Sequence, residues 1–355
     1  MAAVETANAS GEAPIRGSAI AVLVGHPGIG DLVWHAPAIQ AISRRHAKPV
    51  TLFALPSTQA ASLFAEEPAV GAVVAFERKQ GREYVGAILD LTGALRRGRF
   101  QRIYILNRRP VLALASALAG IPERYGFGAP GQRLFLNRGR PLYDGDRVVG
   151  GGPIPHCRIF LGRNGICLSD ATPTLRVGER ARATVRSRFS GMPRPWIALG
   201  ATGNEEARRW PATQFAELAR ALTARWGGGI FLHGGPHHAS QIHEVLKHLP
   251  SAPAQIVDLS RTHVPFSETM GLLAESDLFV GNDSGPLNVA AALGIPAFGL
   301  FGDAMPHESL SPRIRAILPA TGVPDPISGM RRLTADHVME AIEGVLDVRP
   351  AAPPA

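Results

Sequence analysis

"AIAVLVGHPGIGDLVWHAPAIQAI", residues 19–42, decides the fold of the first half of the chain. Its first six residues are an uninterrupted apolar run, which is typical of a strand in a parallel sheet covered on both faces. Three glycines, Gly25, Gly28 and Gly30, follow the strand, and the lone carboxylate of Asp31 comes directly after them. The stretch therefore predicts a buried strand that opens through a glycine-rich turn into a helix.

The same alternation of strand and helix continues along the chain. Residues 32–46 repeat apolar side chains at helical spacing, so we expect a helix with Pro37 in its first turn. Further strands are predicted at 49–55, 70–76, 102–106, 196–200, 229–235, 255–260, 277–282 and 295–302. Further helices are predicted at 83–100, 110–121, 154–166, 178–191, 211–227, 238–249, 266–276, 285–294 and 334–346. This rhythm predicts an α/β fold with two doubly wound domains that face a central cleft.

Charge is distributed unevenly along the chain. The formal net charge is +8, yet residues 77–140 alone hold 13 Lys and Arg against 4 Asp and Glu, a surplus of +9. Such a basic field attracts anionic partners: phosphorylated lipid, nucleic acid or an anionic membrane face. An arginine-rich surface without any binding role would give the same surplus of positive charge. Charge also prompts a nucleic-acid reading, but no recognition motif or aromatic platform supports one, so we expect no nucleic-acid partner.

Several classes of protein are disfavoured by what the sequence lacks. Cys157 and Cys167 have no metal-ligand spacing and are expected to be reduced, structural thiols. The first residues resemble no signal peptide, and no apolar run reaches the ~18–20 residues of a membrane span. We therefore expect a cytoplasmic protein; attachment to the surface of a membrane stays open.

The stretch "GNDSGPLNVAAALGIP", residues 281–296, is the strongest ligand signal in the second half. A buried strand ends at its glycine, and Asp283, Ser284 and Gly285 make the turn into a helix. The first turn of that helix presents free N–H groups at the carboxyl end of the sheet, an environment suited to a diphosphate. An ordinary capped turn is the alternative.

Two further loops follow strands of the same predicted sheet. "LGATGNEEARRWP", residues 199–211, offers the Thr202 hydroxyl, backbone donors around Gly203 and the guanidinium of Arg208. The alternative is an arginine pair that binds the neighbouring glutamates. "LHGGPHH", residues 232–238, contributes Gly234 and Gly235, which allow close backbone approach. Since ligands of open α/β sheets bind at the carboxyl ends of strands, these loops predict a site for a phosphorylated ligand, most simply a nucleotide.

Familiar nucleotide and hydrolase motifs are missing. The glycines at 25, 28 and 30 do not follow the dinucleotide-binding spacing G-x-G-x-x-G, and no acidic residue ends the second strand. The sequence also contains no phosphate-binding loop of the G-x-x-x-x-G-K-[ST] type, no H-E-x-x-H and no G-x-S-x-G. Hydride transfer, P-loop hydrolysis and serine hydrolysis are therefore disfavoured.

Taken in order, these motifs resemble glycosyltransferase family nine, the ADP-heptose:lipopolysaccharide heptosyltransferases. The similar segments are "GHPGIGDLVWHAPAIQAI", "RIYILNRRPVLALASALAGIPERYGFG", "GATGNEEARRWPATQFAELARAL" and "GNDSGPLNVAAALGIPAFGLFG", with order and spacing that span about residues 18–345. The resemblance implies a GT-B fold of two Rossmann-like domains. It implies inverting transfer without a metal or other cofactor, in which positive side chains and helix ends stabilise the departing diphosphate.

The resemblance also implies a division of the chain. Residues 1–16 are expected to be disordered, 17–177 to form the acceptor-binding domain and 178–193 a linker helix. Residues 194–332 are expected to form the nucleotide-sugar domain, followed by a C-terminal helix at 333–349 and a tail at 350–355.

By the same resemblance, Asp31 is the general base that removes the proton of the acceptor hydroxyl. A base must lie within hydrogen-bond reach of that proton. The alternative is that Asp31 only caps the following helix. Gly28 and Gly30 would let the acceptor approach the backbone.

The donor and acceptor sites are carried over residue by residue. The donor-binding residues implied are Thr202, Gly203, Arg208, Gly234, Gly235, Asp283, Ser284, Gly285 and Asn288. Two positions depart from the family pattern: Asn288 stands where a histidine is usual, and residues 303–305 read Asp-Ala-Met in place of Pro-Thr-Asp. Acceptor contacts are expected from Gly28, Gly30, Asn107, Arg108 and Arg109.

The expected function is therefore transfer of a sugar, most plausibly heptose from ADP-heptose, onto an anionic glycan or glycolipid such as the lipopolysaccharide inner core. Peripheral contact with the cytosolic face of the inner membrane stays open. The alternatives are a sugar-nucleotide epimerase or hydrolase on a similar scaffold, and a nucleotide-sugar-binding protein that has lost transfer.

Overall fold

Two compact units make up the part of the chain that the computed structural model describes. These residues are 5–8, 19–143, 152–249, 255–261, 264–302, 311–319 and 326–346. The first unit runs up to Arg176 and the second begins at Val177.

The first unit is a six-stranded parallel sheet with helices packed on it. Its strands are β1 (Glu5–Asn8), β2 (Ile20–Val24), β3 (Val50–Ala54), β4 (Val70–Ala75), β5 (Arg102–Ile105) and β6 (Glu123–Gly126). Its helices are α1 (Ile29–His46), α2 (Ala60–Leu63), α3 (Tyr84–Arg97), α4 (Pro110–Leu118) and α5 (Pro153–Arg163). The strand order is β1-β4-β3-β2-β5-β6. Every residue of β2 and β3 is buried, as the uninterrupted apolar runs predicted.

The second unit repeats this architecture. Its strands are β7 (Trp196–Gly200), β8 (Gly229–Leu232), β9 (Ile256–Asp258), β10 (Leu278–Asn282), β11 (Ala297–Leu300) and β12 (Ile314–Ile317). Its helices are α6 (Glu179–Arg188), α7 (Ala212–Trp226), α8 (Ala239–Lys247), α9 (Phe266–Glu275), α10 (Gly285–Leu293), α11 (Pro326–Arg332) and α12 (Ala335–Leu346). The parallel sheet has the order β12-β11-β10-β7-β8-β9.

Both sheets reverse their winding direction at one place. In the first unit the chain winds from β2 through β3 to β4, then returns to the other side of β2 with β5. In the second unit it winds from β7 to β9, then returns beside β7 with β10. The connections leave the two adjacent strand ends in opposite directions at these points, which opens a crevice. The loops that follow β2, β7 and β10 are the ones that the sequence analysis singled out.

The predicted strands and helices are all present, with differences at their ends. Pro37 lies inside α1 and not in its first turn, because that helix begins at Ile29. Its ring removes one backbone donor from the middle of the helix. Pro211 occupies the N-cap position of α7. Thr334 caps α12, since its hydroxyl accepts a hydrogen bond from the backbone N–H of His337 at 3.3 Å.

Five of the described elements were not predicted: β1, β6, β12, α2 and α11. Strand β1 lies within the segment expected to be disordered; its residues pair with the outer edge of β4, Glu5 opposite Ala72. Strand β6 is a polar "ERYG" segment without an apolar run. It is held in the sheet by β5, where the Arg102 guanidinium donates to Glu123 at 2.5 Å and the rings of Tyr104 and Tyr125 stack at 4.8 Å.

The sheet of the second unit is tightest where β7 and β10 end. A Cβ atom added to Gly281 would lie 2.6 Å from the Cα atom of Gly200, closer than carbon atoms approach in proteins. A Cβ atom on Gly200 would lie 2.5 Å from the ring of Phe279. Both glycines are therefore required by the packing of the two strands, and they bring the two loops at their carboxyl ends together.

We expect Gly281→Ala to destabilise the protein by about 2–3 kcal/mol, because the added methyl group forces the two central strands apart. Gly344→Ala is the matched control, since a Cβ atom at this position in α12 meets nothing. It should stabilise by about 0.5–1 kcal/mol through helix propensity. Urea unfolding of both variants measures the difference; a Gly281→Ala protein as stable as the wild type would contradict the packing argument.

A histidine is enclosed at the end of β8. His233 is 1% exposed, and neither ring nitrogen has a hydrogen-bond partner among the described residues. Burial alone lowers its pKa to about 3, so that the folded protein holds this ring uncharged at neutral pH. In the unfolded chain the same ring titrates near its ordinary pKa of about 6.5.

The unfolded state therefore binds one more proton than the folded state between about pH 6.5 and pH 3, and stability falls as the pH falls through this range. We expect His233→Leu to lower the slope of the unfolding free energy against pH by the equivalent of about one proton. Phe231→Leu removes a buried ring of β8 that does not titrate and should leave the slope unchanged. Equal slopes for His233→Leu and the wild type, measured by denaturant unfolding at a series of pH values, would contradict this prediction.

Candidate functional site

The glycine turn after β2 places Asp31 in the first turn of α1. Gly28 is the N-cap residue, and its carbonyl accepts the N–H of Leu32 at 3.2 Å. The carboxylate of Asp31 lies over Gly28, where an added Cβ atom would be 2.7 Å from Oδ2. Gly28 and not Asp31 is the N-cap residue, and no side-chain hydrogen bond caps the helix there; Asp31 is the acidic residue of the first turn. Gly30 lies beside Asp31 in the same turn, and the missing side chain at Gly28 leaves room for the carboxylate.

Two histidines flank this carboxylate. The Nδ1–H of His35 donates to the backbone carbonyl of Asp31 at 2.6 Å, and the His35 ring stacks on His26 at 5.4 Å between centroids. Burial lowers the pKa of His35 to about 3, with a further contribution from His26. Burial also lowers the pKa of His26, which Asp31 raises and which Arg109 and Arg78 lower further. The charges of Asp31, Arg109 and Arg78 therefore all act on the ring of His26, which stacks on His35.

Asn107 organises the turn after β5, next to the strand that leads to Asp31. Its Oδ1 accepts the N–H of Arg109 at 2.9 Å, and its Nδ2 would lie 3.2 Å from a Cβ atom on Gly25. The buried side chain of Gln132 donates to the Asn107 carbonyl at 2.8 Å and accepts the N–H of Gly128 at 2.7 Å. Asn107, which was predicted to contact the acceptor, therefore holds the turn through its side-chain oxygen. Its backbone carbonyl is held in turn by Gln132.

The two predicted arginines of this turn are exposed at its surface. The guanidinium of Arg108 lies 4.9 Å from the ring centre of Tyr143. Tyr143 in turn is 6.1 Å from the ring of His156 on α5. Burial lowers the pKa of His156, and Arg108 lowers it further. The sequence analysis missed Gln132, Tyr143 and His156, because they lie in or beside the Gly-, Pro- and Arg-rich stretch that has no periodic pattern.

A shallow, open groove lies beside this turn. Its apolar lining is made by Phe76, Tyr84, Ala87, Ile88, Leu91, Val111 and Leu112. Its polar lining is made by Glu77, Arg78, Lys79 and Arg109, and it reaches Gly25 at the end of β2. The first unit thus presents the carboxylate of Asp31 beside a partly apolar surface on which three cations outnumber Glu77, which suits an anionic acceptor.

In the second unit, the turn from β10 into α10 follows the predicted pattern. Ser284 is the N-cap residue and Gly285 the first helical residue, so that Pro286 is the second. The buried hydroxyl of Ser284 has no hydrogen-bond partner among the described residues. The side-chain amide of Asn288 donates to the Ser284 carbonyl at 3.0 Å. Asn288 is 3% exposed and fastens the turn from within.

The loop after β7 is fastened to its neighbours by two side-chain amides. Buried Asn282 accepts the N–H of Trp210 at 2.9 Å and donates to the Thr202 carbonyl at 3.4 Å. Gln241 accepts the N–H of Gly203 at 3.0 Å and donates to the Gly203 carbonyl at 3.2 Å. The backbone N–H of Gly203, predicted as a ligand donor, is therefore already bonded. No signal in the sequence identified Gln241.

Arg208 connects this loop to the turn after β10. Its Nη1 lies 3.1 Å from Oδ2 of Asp283, and its Nε lies 3.1 Å from Oε2 of Glu205. The predicted pairing with a neighbouring glutamate is thus present together with a second pair across the two loops. The Arg208 side chain is 48% exposed, so it keeps access to solvent and to a ligand.

The third predicted loop, which follows β8, lies against the loop after β7. A Cβ atom on Gly234 would lie 2.8 Å from Cγ2 of Thr202, so only glycine fits there. Gly235 borders open space and precedes a turn in which Nε2 of His238 lies 3.0 Å from Oδ1 of Asn204. The structure therefore brings together the predicted residues around the ends of β7, β8 and β10. The unusual residues 303–305 lie outside the described part of the chain.

The described residues contain no cluster of three or more His, Cys, Asp or Glu side chains arranged to hold a metal ion. None of the helices that the structure describes is long and apolar enough to cross a membrane.

Comparison with known proteins gives one consistent answer. The family model of glycosyltransferase family 9 (heptosyltransferase) matches residues 88–318, more than half of the chain. Lipopolysaccharide heptosyltransferase 2 of Escherichia coli K12 is 26% identical over 313 residues, which cover 85% of this chain and 88% of that protein.

Solved structures agree with the sequence match. The E. coli ADP-heptose lipopolysaccharide heptosyltransferase II superimposes with a TM-score of 0.76 at 23% identity, covering 92% of this chain and 98% of that chain. An E. coli heptosyltransferase solved with ADP-2-deoxy-2-fluoro heptose gives a TM-score of 0.65 at 16% identity, with coverage of 92% and 99%. The predicted α/β fold of the GT-B type is thereby confirmed. The protein is a glycosyltransferase and belongs to glycosyltransferase family 9, the heptosyltransferases.

Proposed function

We propose that this enzyme transfers heptose from ADP-heptose onto an anionic glycolipid acceptor, the inner core of lipopolysaccharide. The observation that carries the proposal is the convergence of three loops in the second unit, where Arg208 bridges to Asp283 beside the start of α10. A guanidinium group and a helix N-terminus at a topological switch point suit the diphosphate of a nucleotide sugar. The names of the relatives supply the sugar and the acceptor.

The donor would be held by the residues predicted for it. The N-terminus of α10, with Ser284 and Gly285, faces the negative charge that develops on the leaving diphosphate, and Arg208 stabilises the same charge. This electrostatic assistance would take the place of a metal ion. The backbone N–H of Gly203 and the amide of Asn288 act indirectly in this scheme, because both are bonded within the loops that they shape.

In the proposed reaction Asp31 is the general base. Its carboxylate takes the proton of the acceptor hydroxyl while that oxygen forms a bond to the anomeric carbon of the sugar. The bond from the anomeric carbon to the diphosphate oxygen breaks, and ADP leaves with inversion of configuration. Uncharged His35 orients the Asp31 backbone through its hydrogen bond of 2.6 Å.

The acceptor would be held by the first unit. Arg108 and Arg109 are exposed in the turn after β5, and Arg109 and Arg78 act electrostatically on His26 beside Asp31; these guanidinium groups suit phosphates and sugar carboxylates. A glycolipid acceptor brings the enzyme to a membrane surface, so a peripheral place at the cytosolic face of the inner membrane belongs to this proposal. Family membership does not favour the alternatives, an epimerase or hydrolase and a binding protein without transfer activity.

We expect Asp31→Asn to lower kcat for heptose transfer by about 10²–10⁴-fold, because the amide cannot accept the acceptor proton. Binding of ADP-heptose should be unchanged, since the donor residues lie in the other unit. Asp90→Asn, which neutralises an exposed carboxylate on α3, is the control and should stay active. Release of ADP in the presence of acceptor measures transfer. An Asp31→Asn enzyme with wild-type activity would remove the base from the proposal.

The donor nucleotide can be identified by thermal stabilisation. A ligand that binds the folded state raises the melting temperature by mass action, so ADP and ADP-heptose should raise it more than UDP, GDP or dTDP. Arg208→Gln should weaken ADP binding by about tenfold, a loss of about 1.4 kcal/mol, which is typical of a charged hydrogen bond. Arg220→Gln, an exposed arginine on α7, is the matched control. Selectivity for another nucleotide would redirect the assignment of the donor.

A further inference from the structure

Exposed apolar side chains are concentrated in the first unit. Among the described residues, the large apolar side chains that are exposed are Tyr84, Val85, Leu89, Leu118, Leu134 and Ile159. All of them belong to the first unit, and three belong to α3. Single exposed apolar residues are normal on a protein surface, but a group on one short helix marks a contact surface.

Helix α3 carries apolar residues on two sides. Leu91, Ala94 and Leu95 are buried in the core against the sheet. Val85 and Leu89 lie one turn apart on the same outer face, with 62% and 60% of their surface exposed. The helix therefore buries one apolar side in its own domain and leaves a second apolar strip in water.

Basic side chains stand at both ends of this strip. Arg78, Lys79 and Arg82 precede α3 or lie at its start, and Arg96 and Arg97 form its last turn. Lys79 lies 3.4 Å from both Glu77 and Glu83, so the arginines carry most of the positive charge.

Leu118 extends the strip onto the neighbouring helix. Arg96 donates to the backbone carbonyl of Leu118 at 2.7 Å, which places this exposed leucine at the C-terminal end of α3. The resulting surface is about as long as α3 itself, with cationic groups at its two ends, apolar groups between them and one exposed carboxylate, Asp90, on the same helix.

We propose that this α3 surface, made of Tyr84, Val85, Leu89 and Leu118 with Arg78, Lys79, Arg82, Arg96 and Arg97, docks the enzyme on an anionic phospholipid bilayer. The proposal rests on the proposed function in that a glycolipid acceptor lies in such a bilayer. The apolar side chains enter the interface between headgroups and acyl chains, and the arginines bind lipid phosphates. Charge complementarity selects an anionic lipid surface, since each basic residue adds to its attraction.

The position of the surface agrees with this role. Tyr84, Ile88 and Leu91 of α3 line one side of the groove that ends at Gly25, the residue after β2. Gly25 is followed by the turn that carries Asp31. A glycolipid whose acyl chains remain in the bilayer beneath α3 can therefore present its sugar along the groove to the candidate base in the same unit.

Vesicle binding tests the surface without any reaction. The wild-type protein should float with vesicles that contain roughly one third phosphatidylglycerol and should bind vesicles of pure phosphatidylcholine at least tenfold more weakly. Raising the salt from roughly 0.05 M to 0.5 M should weaken binding, because the Debye length falls.

Paired variants separate the α3 surface from exposed residues in general. Val85→Ser with Leu89→Ser should lower the partition coefficient about tenfold, whereas Leu134→Ser with Ile159→Ser, which removes the same kind of exposed side chain elsewhere in this unit, should leave it unchanged. Arg82→Gln with Arg97→Gln should also lower it about tenfold. Arg180→Gln with Arg220→Gln makes the same change of charge in the second unit and is the control.

The outcomes distinguish this proposal from the proposed function. Transfer from ADP-heptose to a deacylated, water-soluble acceptor should have the same kcat/KM in the Val85→Ser, Leu89→Ser variant as in the wild type. Absence of binding to anionic vesicles, or equal losses in variants and controls, would overturn the docking surface while leaving transfer intact. A wild-type dimer that the α3 variant converts to a monomer, seen by light scattering, would assign the surface to a second copy of the chain. Vesicle binding without heptose transfer would instead refute the proposed heptose transfer and support the α3 docking surface.

Discussion

The contact between the two central strands of each sheet is the constraint on which both candidate sites depend. In the second unit Gly281 on β10 touches the backbone of Gly200 on β7, and any larger side chain would separate the strands. In the first unit Gly25, at the end of β2, meets the Asn107 side chain at the end of β5 in the same way. Adjacent strands whose connections depart in opposite directions leave their ends uncovered. Small residues at these ends allow loops, and a ligand, to come close to the backbone.

The two sites differ in how their charges are held. Beside Asp31, burial lowers the pKa of both His26 and His35, and the guanidinium groups of Arg109 and Arg78 lower the pKa of His26 further. Around α10 the fixed groups are backbone donors and amides, among them buried Asn282 and Asn288, and the charge is that of half-exposed Arg208, which is paired with Asp283. Amides that are bonded on both sides hold loops in one conformation at little electrostatic cost. The first unit is thereby suited to accepting a proton and the second to stabilising a departing anion.

The sequence predicted the sheet and its loops well because buried parallel strands have a simple signature. Apolar runs that end in glycine identified β2, β7 and β10, and the turn residues after them indicated where a ligand would bind. Strands β6 and β12 escaped prediction, because "ERYG" and "IRAI" are short, partly exposed and stabilised by neighbours distant in sequence. Gln132 and Gln241 could not be identified, since a glutamine that fastens a loop is recognisable only once its backbone partners are known. Pro37 shows that packing on a sheet can hold a proline within a helix.

The pair between Arg208 and Asp283 means that the cation of the second site already has an anionic partner before any ligand arrives. A phosphate that binds Arg208 must displace this carboxylate or share the guanidinium with it. A single free phosphate would gain little from that exchange, because one anion merely replaces another. A diphosphate attached to a nucleoside has other points of attachment with which to outweigh the internal competitor. The carboxylate thus favours ligands that attach at several points over small anions.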